Sequence, residues 1–378
     1  MSSRRDPYLN EATSLVVKVG SRVLSDAEGR LDHQQVANLS RQIAQIYDRG
    51  LPVILVSSGA VAAGMGKLGL VQRPTDVSHL QAVAAVGQAH LIQAYEQCFH
   101  RHGRHAAQVL LTADDLDDRP RYLNVRNTLL TLLSMGVVPV INENDTVAVD
   151  ELIATFGDND RLAAMVAGLL KRPLLVILSD VAGLYDRHPD DPQATVIETV
   201  EQIDSKTMEL ATPHRSSVSK GGMASKLRAA RLAVRSGSPA IIAGGRTPDV
   251  LLRIVAGEPL GTFFVPQARG LPPRKRWIGF TAQVAGTIVV DDGAAAALRR
   301  AGPSLLAIGI REVRGSFHKG DVVAVCDSSG CECARGLTNY SSDELAKIRG
   351  LRSPEIAQVL GHCPYEEVIH RDNMVLSD

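Results

Sequence analysis

Between residue 14 and about residue 261 the chain alternates two kinds of segment: short apolar runs, and stretches in which apolar residues return with helical spacing. The runs are LVVKVG (15–20), VILVSS (53–58), AAQVLLT (106–112), VVPVIN (137–142), LLVILSD (174–180) and AIIAGG (240–245). Several are apolar at consecutive positions, which suits strands covered on both faces. Of the helical segments, the first opens at Asp32 with Gln35 three residues on, a capping-box pattern. It places Val36, Leu39, Ile43 and Ile46 on one face and ends at Gly50. Further helices are expected over 81–98, 121–135, 160–170 and 225–236. Strand and helix in alternation imply an α/β fold, a three-layer αβα sandwich with a mostly parallel sheet, over residues 13–265.

The rhythm breaks near residue 266. QARGLPPRKRW (267–277) combines Gly, a Pro pair and a basic triplet, so a linker is expected over 266–276. Beyond it GTIVVDDG (286–293), GIREVRG (309–315) and DVVAVCDSSGCECARGL (321–337) read as short strands, with SSG as a hairpin turn. Only 294–300 and 353–361 look helical. A small β-rich second domain over 277–368 follows, with loose tails expected at 1–12 and 369–378.

Composition narrows the function classes. Lys+Arg and Asp+Glu both number 41, so no whole-protein field favours nucleic acid or an anionic membrane surface. The polar opening MSSRRDPYLNEATS lacks the apolar core of a secretory signal. No apolar run approaches the roughly 20 residues of a membrane span. With an odd five cysteines as well, a cytoplasmic protein with reduced thiols is expected.

Parallel α/β sheets bind ligands at the carboxyl ends of their strands, where helix N-termini favour anions. Four such ends stand out here. Lys18 sits inside an apolar strand just ahead of Gly20 and Ser21. An edge-strand lysine would explain it in isolation, but a cation beside a Gly loop is what a polyphosphate needs. Ser58-Gly59 closes the second strand with small residues beyond it, a weak signal alone because Ser-Gly turns are common. Asn142, Glu143, Asn144 and Asp145 follow a buried strand, and Asp158, Asn159 and Asp160 precede a helix. Capping accounts for one of the last three; the whole suggests recognition of an amine, or control of nearby lysines. Ser179 and Asp180 end another strand. SKGGMASK (219–226) then places a Gly pair before a helix and Lys226 in its first turn, where a cation opposes the helix dipole unless an anion is close.

Other motifs carry less. GMGKLG (64–69) fits GxGxxG formally, but it starts about six residues past its strand and its glycines do not open a helix. There is no GxxxxGK[ST], GxSxG or HExxH. Cys326, Cys331 and Cys333 lack a CxxC pair and a fourth zinc ligand, and read as small hairpin residues.

Taken together, VVKVGSRVL, SSGAVAAG, AVGQAHLI, LLTADDLDDRPRYLNVRNTL, VVPVINENDTVA, FGDNDRLAA, LSDVAGLYD and GGMASKL resemble the amino acid kinase family, in its order and spacing. The tail, from RKRW through GTIVVDDGA, GSFHKGDVV and GLTNYSSDE to HRDNM, resembles a PUA domain. Within the family the likeness is to members that use ATP to phosphorylate the γ-carboxylate of L-glutamate, the entry to proline biosynthesis. That resemblance implies Lys18 and Lys226 as the lysines that neutralise the transferred γ-phosphoryl group, held in place by Asp160. Gly20, Ser21 and Gly59 would line the phosphoryl path, and Ser58, Gly59, Asp145 and Asn159 would meet glutamate. ATP would be held by Lys18, Gly20, Ser21, Ser179, Asp180 and the loop Lys220, Gly221, Gly222, Met223, Ala224, Ser225, Lys226, with Mg²⁺ carried by the nucleotide rather than by protein side chains. The family usually has Thr or a small residue where Lys220 stands. The resemblance further implies proline as an inhibitor, a homo-oligomer (dimer or tetramer) and coupling to glutamyl phosphate reductase.

Sibling kinases of N-acetylglutamate, aspartate, carbamate or UMP share the fold. N-acetylglutamate lacks the charged amine that Asp145 would meet, and a UMP site would need basic residues this cluster lacks. A PUA module also raises RNA as a partner. From Arg274 to Asp378, however, 13 Lys/Arg balance 13 Asp/Glu, with one basic cluster at Arg274-Lys275-Arg276, whereas RNA binding normally leaves a basic footprint.

Overall fold

The computed structural model describes residues 4–148, 158–211, 222–267, 271–301, 303–362 and 365–377. The chain divides into two compact units, one of Met1–Leu116 with Pro120–Gly270, the other of Asp117–Arg119 with Leu271–Asp378.

The first unit is built on an eight-stranded sheet. Its strands are β1 (Ser14–Val19), β2 (Val53–Ser57), β3 (Ala106–Leu111), β4 (Val138–Glu143), β5 (Pro173–Ser179), β6 (Thr199–Val200), β7 (Ala240–Gly244) and β8 (Thr262–Phe264). The spatial order is β3-β4-β2-β1-β5-β7-β8-β6. All neighbours from β3 through β7 pair in parallel; β8 runs antiparallel to β7 and carries β6 parallel to itself. Every residue of β1, β2, β4 and β5 is buried, as consecutive apolar positions require of strands with helices on both faces. From β1 the chain passes to β2, skips outward to edge strand β3 and fills the gap with β4, then returns to β5 on the other side of β1. The carboxyl ends of β1, β2, β4 and β5 therefore surround one crevice at a topological switch point.

Helices join these strands close to their expected positions: His33–Asp48, Val77–His100, Arg119–Ser134, Asp158–Leu169 and Gly222–Arg235. The Asp32 side chain caps the first by accepting from Gln35 N at 3.0 Å. Gln35 does not complete the box, because its side chain donates to Gly245 O at 2.7 Å. Helix Ala60–Leu68 was not expected, since Gly64 and Gly66 disguise it. Those small residues serve packing instead. A Cβ on Gly87 would lie 1.8 Å from Ala60 O, and one on Gly64 2.0 Å from Val83 O, so helices Ala60–Leu68 and Val77–His100 touch backbone to backbone.

The loose tail expected at 1–12 is corrected by Arg5. Its buried guanidinium donates to Leu260 O (2.8 Å), Glu198 O (2.8 Å) and Gly261 O (3.0 Å), pinning helix Asp6–Glu11 against the β8 side of the sheet. A charged side chain that satisfies several backbone carbonyls at once is worth burying.

In the second unit a five-stranded sheet runs β11-β9-β12-β13-β15, with β10 and β14 paired beside it. The ranges are β9 Gly286–Val290, β10 Leu305–Leu306, β11 Ile310–Arg314, β12 Val322–Cys326, β13 Glu332–Leu337, β14 Glu367–Ile369 and β15 Met374–Leu376. β12 and β13 form the expected hairpin, closed by Asp327 N donating to Cys331 O at 2.9 Å. Two expectations are corrected here. Pro273 opens a short helix, Pro273–Arg276, and Arg276, Trp277 and Ile278 are buried, so the compact unit begins inside the expected linker at Leu271. At the other end β15 pairs with β13 and buries Met374, so within the tail expected at 369–378 the described residues 369–377 are not loose. Helix Ser342–Ile348, also unexpected, carries a full capping box between Ser341 and Glu344.

Candidate active site

Lys18 is the one charged residue of β1, and its Nζ lies 2.6 Å from Asp160 Oδ1. Lys226 Nζ reaches Asp160 Oδ2 at 3.3 Å and donates to Gly222 O at 3.3 Å. The side chains are only 6% exposed at Lys18, 2% at Asp160 and 12% at Lys226. Each position has a local reason. Asp160 stands in the first turn of helix Asp158–Leu169, where the dipole favours an anion. Lys226 stands near the start of helix Gly222–Arg235, where it opposes the dipole and is compensated by that same carboxylate. Burial alone would raise the Asp160 carboxyl, but the two ammonium groups hold it below its ordinary value. Burial lowers Lys226, and Lys18 adds to this, while Asp160 pulls the other way without fully compensating. One carboxylate thus balances two cations, leaving an excess positive charge facing the cleft.

The backbone around these groups is tied down at three strand ends. Gly20 N donates to Leu178 O (3.3 Å) and Ser58 N to Val19 O (3.1 Å). Gly59 takes φ +108° and opens helix Ala60–Leu68, a conformation that a side chain would strain. From β2 and β4 a chain of side-chain amides crosses the floor. Asn159 Nδ2 donates to Ser58 Oγ (3.2 Å) and to Asn142 Oδ1 (3.0 Å), and Asn142 Nδ2 donates to Gln88 Oε1 (2.7 Å). Because Asn142 Oδ1 also accepts from Glu143 N at 3.0 Å, the orientation of the Asn142 amide is fixed.

At the β5 end Ser179 Oγ donates to Asp180 Oδ1 (3.0 Å), and Asp180 Oδ2 pairs with Arg22 at 2.9 Å. Burial works to raise Asp180, but those two partners hold it below its ordinary value. Asp145 differs. Burial pushes its carboxyl up to about 6, and Arg73 only partly opposes this.

Gln88 apart, the side chains named above line one cleft of about 530 Å³. The structure brings Lys18, Gly20, Ser21, Ser58, Gly59, Asp145, Asn159, Asp160, Ser179, Asp180, Gly222, Ser225 and Lys226 to its walls. Met223 and Ala224 are half-buried in the helix and do not line it. Lys220 and Gly221 lie outside the described residues. Sequence reasoning assigned no role to Arg22, Arg73 or Gln88, and left Asn142 as one polar residue among four. Gln88 sits in mid-helix amid Ala, Val and Gly, so no local signal marks it. Arg22 follows Ser21 directly and could have been suspected from the phosphate-loop pattern.

An eight-stranded α/β sheet with two lysines and a bridging carboxylate at its switch point is the setting of a phosphoryl-transfer site. The amino acid kinase family model matches residues 13–244, and the chain belongs to that family. A PUA domain model matches residues 286–360. The chain is 52% identical to a protein named glutamate 5-kinase from Rhodopirellula baltica, over 98% of this chain and 96% of that one. It is 48% identical to one of the same name from Methylococcus capsulatus over 100% of both chains. With one from Thioalkalivibrio sulfidiphilus it shares 49% over 97% of this chain and 98% of that one.

Proposed function

We propose that this protein transfers the γ-phosphoryl group of ATP to the γ-carboxylate of L-glutamate, giving L-glutamyl 5-phosphate, the first step of proline biosynthesis from glutamate. The observation that carries this reading is the buried Lys18–Asp160–Lys226 arrangement at the strand ends, in a chain about half identical to glutamate 5-kinases over nearly its full length.

The chemistry asks little of a general base, because a carboxylate is already a nucleophile at neutral pH. The barrier lies in bringing two anions together and stabilising charge on the moving phosphoryl group. Lys18 and Lys226, held apart on one carboxylate, would flank that group. Gly20 and Gly59 let backbone approach it, and the N-termini of helices Ala60–Leu68 and Gly222–Arg235 open onto the same cleft. Ser179, Asp180, Gly222 and Ser225 lie where the nucleotide would be held.

Among the described residues, the cleft carboxylates Asp160, Asp180 and Asp26 are each matched to lysine or arginine. Mg²⁺ therefore fits as a companion of the nucleotide phosphates, where it supplies charge neutralisation, rather than as the guest of a protein cage. At the other end Asp145 and Arg73 offer opposite charges to the ammonium and carboxylate of an α-amino acid. Ser58 and Asn159, oriented by the amide chain, supply neutral donors and acceptors between the two ends.

The test is ATP turnover with Mg²⁺ and hydroxylamine, comparing glutamate, N-acetylglutamate, aspartate and UMP. Glutamate-dependent hydroxamate is the expected result; turnover only with another acceptor, or with none, refutes the reading. Lys18→Ala and Lys226→Ala should each lower turnover on the order of 100-fold, and near-normal turnover in either would remove that lysine from the mechanism.

Inhibition by proline and hand-over of the product to a glutamyl phosphate reductase rest on the family resemblance alone, and a cytoplasmic location on the polar opening and the cysteine usage. For a homo-oligomer there is added support. Val86, Leu110, Leu123, Leu130 and Met135 are exposed on edge strand β3 and on the helices before and after it. For the second unit a structural or regulatory role is favoured over RNA binding by its balanced charge.

A further inference from the structure

We propose that Glu96, His100 and His105 form a binding site for one transition-metal ion, with Zn²⁺ the best suited. Glu96 and His100 are one turn apart near the end of helix Val77–His100, so they share a face. The chain then reverses sharply, with Gly103 N donating to His100 O (3.0 Å) and Arg104 N to Phe99 O (3.1 Å). This turn delivers His105 to the position just before β3. One ligand atom from each of the three side chains lies within 4.8 Å of the others.

The arrangement is more than a chance meeting of surface groups. Glu96 Oε2 accepts from Ala106 N at 2.6 Å, which anchors the carboxylate, while Oε1 meets His105 Nδ1 at 2.8 Å. The His100 and His105 rings are 5.9 Å apart between centroids. Arg104, whose charge would otherwise repel a cation, is directed to Asp48 at 2.5 Å and over the Tyr47 ring.

Two imidazoles and one carboxylate select against Mg²⁺ and Ca²⁺, which prefer all-oxygen shells, and suit zinc with a fourth position open to water. The site sits at the amino end of β3, the opposite end of the sheet from the strand termini that form the cleft. Zinc there would staple the long helix to the edge strand rather than take part in catalysis.

The experiment uses the chelator-stripped full-length chain, titrated with Zn²⁺ alone against a chromophoric chelator at neutral pH. The expected result is one Zn²⁺ per chain, not displaced by excess Mg²⁺. His100→Ala and His105→Ala should each weaken binding by more than about 10-fold, the lower end of what losing even an outer-shell partner of a metal costs. Zn²⁺ should raise the Tm of the wild type and not of these variants, while kinase turnover of the stripped and loaded forms is the same. Glu96→Gln, which keeps an oxygen for Ala106 N, gives the same answer if a histidine variant fails to fold. Absence of stoichiometric binding overturns the proposal. So does zinc affinity unchanged in all three variants, which would place the metal on thiols elsewhere and leave Glu96–His105 a simple surface ion pair.

Discussion

Replacing Asp160 by Asn tests the central electrostatic claim, because it keeps the shape and removes one charge. At an effective dielectric of about 20, unit charges 3.3 Å apart attract by about 5 kcal/mol, and the Lys18 contact at 2.6 Å is closer still. Part of that attraction is offset by the burial of all three groups. Breaking a buried pair typically costs about 3–5 kcal/mol, and an open cleft into which Lys226 can swing argues for the lower end, about 3 kcal/mol of stability. The functional effect has a different pH signature. Without Asp160, burial and the charge of Lys18 both act to lower Lys226, and nothing equally close raises it. Its charged fraction falls as pH rises, so the alkaline limb of the turnover profile moves to lower pH, and turnover at neutral pH drops by at least about 100-fold. Stability moves oppositely. The unfolded chain binds the proton that the buried lysine gives up, so the variant's stability deficit shrinks as pH rises. Chemical denaturation and a pH–rate profile of the same preparation measure both. An unmoved alkaline limb with turnover near that of the wild type would refute the reading of Asp160 as the counter-charge of two working lysines.

Two further outcomes follow from other parts of the site. Because burial holds Asp145 up to about 6, its carboxylate charges only above that pH. The KM for glutamate should be flat above about pH 6 and rise roughly tenfold per unit below it. Asp145→Asn should raise KM at neutral pH and abolish the acid limb; an acid limb that survives would assign it to another group. Gly87→Ala places a methyl 1.8 Å from Ala60 O, so helix Ala60–Leu68 must shift. We expect a loss of about 1–3 kcal/mol in stability together with a raised KM, since Ser58 and Gly59 lead into that helix. A fall in stability with an unchanged KM would show that the contact is structural only.

Much of the first unit was legible because its strands announce themselves. Runs such as VILVS and LLVILS are too short and too uniformly apolar to be surface helices, and their burial in β2 and β5 follows directly. The failures share one cause: a local signal whose meaning depended on a distant partner. GMGKLG drew notice only as a formal GxGxxG match, no helix was expected over it because Gly64 lowers helix propensity, and only the Val83 carbonyl on another helix explains the missing side chain. Arg5 looked like part of a polar tail because the four carbonyls that receive it lie some 190 to 260 residues further along the chain. Pro272-Pro273 read as a linker because proline both ends and begins helices, and the buried Trp277 beyond it decides which.

The site shows the same division more sharply. Lys18 and Lys226 each violate a local preference, one as a charge in a buried strand and the other as a cation at a helix start, and both could be suspected from that conflict alone. That a single carboxylate resolves both conflicts came only from the family resemblance and not from local preference, since Asp160 is separated from Lys226 by 66 positions and from Lys18 by more than twice that. Gln88 and Arg73 violate nothing locally: one is a polar residue in a helix, the other an exposed arginine in a loop. Gln88 reaches the cleft only through Asn142, and Arg73 reaches its wall beside Asp145, so both become visible only once the fold places them there. Residues strained by their own surroundings can thus be found in a sequence, while residues that act by orienting others require the fold.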